Sequence, residues 1–263
     1  NLSLKYLAQE YCGNYAQDEI GDITKIPLDK CLKYNLTDGL ATWFVYEKYW
    51  DKMNQDNQRD IYENIFKEST KDIIQIQLTG LPLNMNRVLE VEKILQKDQD
   101  DALNRIVNSE IGRNFTQLIK EEWVIERNKK LKTKRVTLAD CKEEFNPNSN
   151  LQLQKLLYKE LNLPVIEKTI AGAPATNADV FAKLIHHTKN QEVIDILQAL
   201  IDYKAVNKIL TAFIPAFKNA YLGPDGWHYL FGNFNLGGTV SGRLSSSGPN
   251  LQQIPATGSK YSK

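Results

Sequence analysis

The chain has 263 residues, of which 42% are hydrophobic and 25% charged, and its formal net charge at pH 7 is +1. This composition excludes a disordered protein and leaves room for one large domain or two small ones. Because the two signs of charge nearly cancel, the whole-chain charge does not indicate a nucleic-acid partner, and any basic surface has to be local.

Cysteines and apolar runs indicate the cellular setting. The three cysteines, Cys12, Cys31 and Cys141, are widely spaced and odd in number, which excludes a disulfide framework and indicates a reducing compartment. No apolar run approaches the roughly 20 residues that span a membrane. We therefore expect a soluble cytoplasmic protein that has no membrane partner.

Apolar residues recur at helical spacing through most of the chain before about residue 220. One such stripe consists of Leu28, Leu32, Leu36, Leu40 and Phe44. Further along, Ser149 with Gln152 and Thr176 with Asp179 have the spacing of capping boxes. The pattern predicts helices that begin at these two points.

The chain changes from α to β near its end. A helical pattern runs from about residue 192 to 217, and the turn residues at 223–226 end it. Residues 227–235 are rich in aromatics, and the two glycines at 237–238 predict a hairpin turn into a strand at 239–241. The predicted fold class is therefore mainly α with a small β portion.

A basic run occupies residues 127–135, which carry six cations and no acid. The cations are Arg127, Lys129, Lys130, Lys132, Lys134 and Arg135. We expect this run to form an exposed loop or helix end.

Residues 238–255 combine small residues, one cation and several amides in a strand-and-loop context. The small residues allow another backbone to approach, while Arg243, Asn250, Gln252 and Gln253 can donate hydrogen bonds to a polar ligand. The alternative is a serine-rich turn whose amides cap its own backbone. The residue types alone leave both interpretations open.

The order of these residues resembles the motif that opens the palm of family A DNA polymerases, the class of bacterial DNA polymerase I and of related phage replicases. The fuller motif is T-x-x-G-R-L-S-S-x-x-P-N-L-Q-x-I-P, and residues 239–255 match it. The chain departs from the family's usual residues at three positions. Ser241 stands where threonine is common, Gly248 where aspartate is common, and Gln253 where asparagine is common.

The resemblance implies DNA contacts for four residues of this motif. Arg243 is expected in the minor groove at the primer terminus, and Asn250, Gln252 and Gln253 near template and primer. Minor-groove acceptors are nearly the same for every base pair, so such contacts test pairing geometry without reading sequence. This chemistry suits a polymerase.

Upstream, residues 145–176 are similar to the family's thumb, and the helix around residues 203–208 is similar to the helix that leads from thumb to palm. Its lysines, Lys204 and Lys208, are four residues apart and share one helical face. They suit two successive phosphates, and the alternative is a solvated helix face.

The region around the basic run is longer than in the bacterial enzymes. Some phage members also enlarge the thumb here, and its tip can hold the duplex or a processivity factor. Six cations could neutralise several phosphates and give a salt-sensitive contact. The alternative is a solvated tip without a DNA contact.

At the other end, Tyr34 and Asp38 lie four apart in a predicted helix, a pattern that alone also fits a surface helix. In order, this part of the chain is similar to the end of the family's 3′–5′ exonuclease domain. The resemblance implies that Asp38 ligates a catalytic metal and that Tyr34 orients the attacking water. One carboxylate cannot hold two metals about 4 Å apart, so we expect no exonuclease activity from this chain alone.

The resemblance divides the chain into the end of an exonuclease domain at 1–60, a thumb region at 61–222 and the start of a palm at 223–263. It implies a fragment of a family A DNA-directed DNA polymerase, which adds deoxynucleotides to a primer 3′ end during DNA replication. The alternative is a noncatalytic DNA-clamping module, either a degenerate or a split-polymerase piece.

The expected partners are primer–template DNA and, in the complete enzyme only, deoxynucleoside triphosphates with Mg²⁺. No aspartate or glutamate follows Asp225, so we expect this chain alone to be inactive. If a phage encodes the chain, its expected location is the host cytoplasm.

Overall fold

The computed structural model describes residues 3–11, 21–131 and 135–254. The chain divides into two compact units, Asn1–Ile76 and Gln77–Lys263. This division lies later in the chain than the predicted domain boundary at residue 60, and the assignment of 1–60, 61–222 and 223–263 to particular domains stays a prediction.

Some residues of the sequence analysis lie outside the described residues, namely Cys12, Lys132, Lys134 and the end of the palm motif after Ile254. Within them, no helix combines the length and apolar character needed to cross a membrane.

The first unit is helical. Its helices are α1 (Leu4–Tyr11), α2 (Leu28–Gln55), α3 (Arg59–Ile61) and most of α4 (Lys67–Thr79), with a 3₁₀ turn at Ile23–Lys25 and a π-helical segment at Tyr62–Phe66. Helix α1 packs against α2, and Leu7, Ala8 and Ala41 are buried. The predicted stripe on α2 is helical, as expected, but its leucines are exposed and do not form a core.

The second unit contains six further helices among its described residues. They are α5 (Met85–Val107), α6 (Glu110–Lys130), α7 (Asn150–Lys155), α8 (Ala178–Ile185), α9 (Gln191–Ala212) and α10 (Ile214–Lys218). A 3₁₀ turn at Leu138–Asp140 and a π-helical segment at Leu156–Glu160 lie between α6 and α8. The helices enclose one large core, in which Phe181, Leu197 and Leu200 are fully buried. Helix α9 packs along α5 and is the central element of the unit.

Five short strands accompany the helices among the described residues of the second unit. Strands β1 (Leu81–Leu83), β2 (Tyr221–Leu222) and β3 (His228–Leu230) form an antiparallel sheet in the order β1-β3-β2. Strands β4 (Asn233–Asn235) and β5 (Ser245–Ser247) form an antiparallel pair, in which Asn235 is opposite Ser245. A 3₁₀ turn at Leu251–Gln253 follows β5. The prediction of a mainly α chain with a small β portion is confirmed.

The structure divides the predicted 192–217 helix into two. Helix α9 ends at Ala212, and α10 begins at Ile214 with Pro215 in its first turn. Proline has no N–H for a helix interior and its ring clashes with the preceding turn, so it is tolerated where a new helix begins. The prediction followed the apolar spacing, which continues across the break, and did not use the signal that Pro215 gives.

The predicted capping box at Ser149 forms only in part. The Ser149 hydroxyl accepts a hydrogen bond from the Gln152 N–H at 3.4 Å, as expected. The Gln152 side chain accepts instead from the Asn146 N–H at 2.7 Å, so the reciprocal bond to Ser149 is replaced by one further upstream.

The prediction that Thr176 caps the following helix is wrong. Asn177 is the cap, and its Oδ1 accepts from the Val180 N–H at 2.9 Å. The Thr176 hydroxyl is buried and donates to Asn150 Oδ1 at 3.0 Å, so it is already used in a tertiary contact. Both residue types are good caps, and tertiary packing decides between them.

The hairpin predicted at the two glycines is present, but the returning strand is not at 239–241. The Gly242 N–H donates to the Thr239 carbonyl at 3.2 Å, and Gly242 has a φ of 71°, so these residues form a turn. The Thr239 hydroxyl also donates to the Arg243 carbonyl at 2.8 Å. The strand therefore begins only at Ser245.

Candidate nucleic-acid interface

Two lysines of α9 form the first part of the candidate interface. Lys204 and Lys208 lie one helical turn apart, about 6 Å along the helix axis. Lys204 is half-buried and Lys208 is exposed. Burial lowers the pKa of the Lys204 ammonium below its usual value. Neither side chain has a hydrogen-bond or salt-bridge partner among the described residues, so their positive charge is uncompensated.

Neighbouring contacts hold this part of α9 in place. Gln99 on α5 donates to Asn207 Oδ1 at 2.9 Å. Asn148 donates to the Tyr203 hydroxyl at 2.9 Å, and burial raises the pKa of Tyr203. The nearest acid along the helix, Asp202, is paired with Arg105 at 2.6 Å. The lysines are therefore on a rigid element, and the acid beside them is already paired.

The β4–β5 hairpin presents Arg243. Its backbone is fixed by the Thr239 hydroxyl, which donates to the Arg243 carbonyl, and by the turn that ends at Gly242. The Arg243 side chain is exposed and has no partner among the described residues. Within the described part of the chain, the donors of its guanidinium are unused.

The three amides predicted to contact DNA differ in their surroundings. Asn250 Oδ1 accepts from the Gln252 N–H at 3.2 Å, which is the backbone-capping role that the residue types had left open. The side chains of Gln252 and Gln253 are exposed, and within the described part of the chain they have no hydrogen-bond partner. Their DNA contacts, like those of Asn250, stay predictions.

A glycine holds the segment that carries these amides. A Cβ atom on Gly232 would lie 2.5 Å from Leu251 Cδ1, so the glycine allows Leu251 to pack against the strand region. The Ser246 hydroxyl accepts from the Leu251 N–H at 3.2 Å. Residues 250–253 are therefore attached to the hairpin that carries Arg243.

The basic run continues from the C-terminus of α6. Arg127, Lys129 and Lys130 lie in the last helical turn, where cations interact favourably with the helix dipole. They are exposed, as is Arg135, which confirms the predicted exposed helix end for these four residues.

The side chain of Asn128 binds the backbone of Val136, just after the basic run. Asn128 Nδ2 donates to the Val136 carbonyl at 2.9 Å, and Asn128 Oδ1 accepts from the Val136 N–H at 2.8 Å. Sequence reasoning missed this clamp because one asparagine within a basic run gives no signal of its partner.

In the first unit, Tyr34 and Asp38 lie together on α2 as predicted, with Lys5 of α1 between them. The Lys5 ammonium lies 3.1 Å from Asp38 Oδ1 and 3.5 Å from Oδ2, donates to the Tyr34 hydroxyl, and lies 4.3 Å from the centroid of the Tyr34 ring. The bond to Tyr34, together with Asp38, raises the pKa of Lys5. Sequence reasoning missed Lys5, because nothing in a separation of 33 residues indicates a contact.

The described residues around Asp38 do not by themselves form a metal site. Among the described residues, no three histidine, cysteine, aspartate or glutamate side chains gather where they could hold a metal ion. Asp38 has a lysine as its counter-ion. The role of Asp38 as a metal ligand stays a prediction, and no step of a reaction is assigned to a metal in this chain.

The fold and the sequence together define the class of this protein. Residues 116–263, more than half of the chain, match the family model for DNA polymerase family A. The chain belongs to that family. Its whole length also shares its fold with the POL domain of Pol1 from M. smegmatis, solved in complex with DNA primer-template and dNTP, at a TM-score of 0.67 and 18% identity, and covers 37% of that chain.

Curated relatives include bacterial and phage polymerases. DNA polymerase I of Caldicellulosiruptor bescii is 27% identical over 80% of this chain and 21% of its own length. The DNA polymerase of Bacillus phage SP01 is 25% identical over 91% of this chain and 26% of its own length. DNA polymerase I of Bacillus subtilis is 37% identical over 43% of this chain and 12% of its own length. The chain therefore spans about a quarter or less of these relatives.

Proposed function

We propose that this chain supplies the thumb and the first palm strands of a DNA-directed DNA polymerase. In that role it holds the primer–template duplex while deoxynucleotides are added to the primer 3′ end during DNA replication. Membership of family A supports the reaction, and the unpaired cations of the second unit support the DNA contact. Mg²⁺ and deoxynucleoside triphosphates are proposed as ligands of the complete polymerase. A soluble, cytoplasmic location is part of the same proposal.

The observation that carries the proposal is the half-buried ammonium of Lys204, which has no partner among the described residues. Its ammonium is partly desolvated, and no acid compensates it among the described residues. A cation in this position costs folding free energy, and a phosphate would supply the missing charge through a charge-assisted hydrogen bond. With Lys208 one turn away, α9 offers two cations to a phosphate backbone. Such contacts position DNA without reading its sequence.

Arg243 and the two exposed glutamines supply the second half of the proposed contact. An exposed guanidinium on a fixed turn can reach the minor groove, where the acceptors are nearly independent of sequence. Lysines at the phosphates and an arginine at the base edges together bind paired DNA of any sequence. A replicative polymerase requires such sequence-independent binding.

The Lys204→Met variant tests the proposed role of α9. We expect it to bind a primer–template duplex more weakly, with a salt slope reduced by about 0.9 because one phosphate is no longer neutralised. We also expect it to melt at a higher temperature, because the variant no longer has to bury an ammonium. Fluorescence anisotropy and calorimetry measure the two quantities.

The contribution of Lys204 to folding stability should depend on pH in a definite direction. Since the folded pKa of Lys204 is lowered, the folded chain releases this proton before the unfolded chain does, and wild-type stability from this group rises as pH approaches the usual lysine pKa. Lys204→Met lacks this rise. The control is Lys208→Met, which removes an exposed charge and should weaken binding without raising the melting temperature. Unchanged DNA affinity in both variants would contradict the role of α9.

We propose that the basic run extends this DNA contact at the tip of the thumb, where a processivity factor could also bind. Replacing Lys129, Lys130, Lys132 and Lys134 with alanine should reduce the slope of log affinity against log salt by roughly 0.9 for each phosphate that is no longer neutralised. Asn128→Ala is the companion variant, because it keeps all the cations but removes the clamp at Val136. An unchanged slope in the lysine variant would exclude the run from the DNA path.

A further inference from the structure

Tyr34 and Asp38 both contact a cation of the chain itself, the ammonium of Lys5. The Lys5 ammonium lies within 3.1 Å and 3.5 Å of the two Asp38 carboxylate oxygens, so it approaches both of them nearly equally. The Tyr34 hydroxyl accepts a further hydrogen bond from the same ammonium. One cation therefore engages both residues that the family resemblance links to metal chemistry.

This placement competes directly with a metal ion. A divalent cation bound by Asp38 would lie close to the ammonium, and like charges at such distances repel strongly where the surroundings are partly buried. Both side chains of the ion pair are about 29% exposed, so water screens the charges only in part.

The ammonium also satisfies the acceptors that a metal would use. Magnesium keeps several waters and binds through one or two carboxylates, so it gains little from a carboxylate that is already paired. The ring of Tyr34 adds to the hold on Lys5, because its face attracts a cation 4.3 Å from the centroid. The three side chains connect α1 to α2.

We propose that Lys5 takes the place of the metal ion at Asp38, so that the Tyr34–Asp38 pair of this chain is a metal-excluding salt bridge. Lys5 is then a positioning residue that joins α1 to α2 through these two side chains. The proposal concerns the first unit and does not depend on the polymerase role of the second.

Paramagnetic broadening by Mn²⁺ tests the proposal on the whole chain without DNA or activity. At the same substoichiometric Mn²⁺, we expect no localised broadening of the Asp38 amide resonance in the wild type. In Lys5→Met we expect clear localised broadening of this resonance, because the repelling charge is gone. Adding Asp38→Asn to Lys5→Met should abolish it.

Two controls separate charge from fold. Lys5→Arg keeps the cation and should behave as the wild type. Lys30→Met removes an exposed cation that lies about 12 Å from Asp38 along the axis of α2. It should also leave the Asp38 resonance unbroadened. If Lys5→Met does not fold, Lys5→Gln replaces it in the same comparison.

The outcomes are distinct. Broadening that depends on both the removal of Lys5 and the presence of Asp38 supports the proposal. Equal Asp38-dependent broadening in wild type and Lys5→Met would overturn it, because Lys5 would then not exclude the metal. Absence of broadening in both Lys5→Met and Lys5→Gln would overturn it as well, because Asp38 would then bind no metal even without the lysine.

Discussion

Replacing Phe181 with alanine is expected to lower the free energy of unfolding of the second unit by about 3 to 5 kcal/mol. Phe181 lies on α8, is fully buried, and belongs to the core that α9 helps to enclose. Removing its ring takes away buried apolar surface and leaves a cavity that rigid neighbouring helices fill only in part. Denaturant titrations followed by circular dichroism measure the decrease.

An exposed apolar residue of a neighbouring helix provides the control for Phe181. Leu151 on α7 is 79% exposed, and Leu151→Ala should change the unfolding free energy by less than about 0.5 kcal/mol. Equal effects of the two substitutions would contradict the described core.

Arg243→Ala is expected to weaken binding of a primer–template duplex by about 10- to 150-fold, the equivalent of about 1.5 to 3 kcal/mol for a charge-assisted hydrogen bond. Its side chain is exposed and, within the described residues, has no partner to leave unpaired, so the fold and the melting temperature should be unchanged. Anisotropy titrations of wild type and variant measure the difference.

The DNA provides the matched control for Arg243. A primer-terminal base that lacks its minor-groove acceptor should weaken binding of the wild type and have little additional effect on Arg243→Ala, because both changes remove the same contact. Additive effects would place Arg243 at another part of the DNA, and wild-type affinity in the variant would remove it from the interface.

Local signals predicted those parts of the fold that depend on neighbouring residues in the sequence. The stripe of leucines on α2 predicted a helix because its period reflects backbone geometry alone. The same stripe did not predict burial, since its leucines are exposed in the structure. The glycine pair at 237–238 predicted a hairpin for a similar local reason.

Errors arose where tertiary contacts decide between local alternatives. Thr176 and Asn177 are both suitable caps. Because the Thr176 hydroxyl bonds to Asn150, Asn177 caps the helix instead. The hairpin loop is longer than predicted because the turn at Gly242 and the bond to the Arg243 carbonyl delay the strand. Neither partner can be read from sequence spacing.

In the candidate site, too, local spacing was predicted and tertiary contacts were missed. Lys204 and Lys208 were found because a four-residue spacing on a helix specifies a common face. Lys5 was missed because its partners, Tyr34 and Asp38, are 29 and 33 residues away. Asn250 was identified as a polar donor, whereas its side-chain oxygen Oδ1 accepts a hydrogen bond from the Gln252 N–H.

The most direct test of the proposed function is the binding of a primer–template duplex by the wild-type chain between about 50 and 200 mM salt. With Lys204 and Lys208 at the phosphates, we expect log affinity to fall linearly with log salt, with a slope of about −2 or steeper, and to be independent of DNA sequence. Absence of binding at about 50 mM salt, or binding that does not respond to salt, would contradict the assignment of this chain as a DNA-holding part of a polymerase.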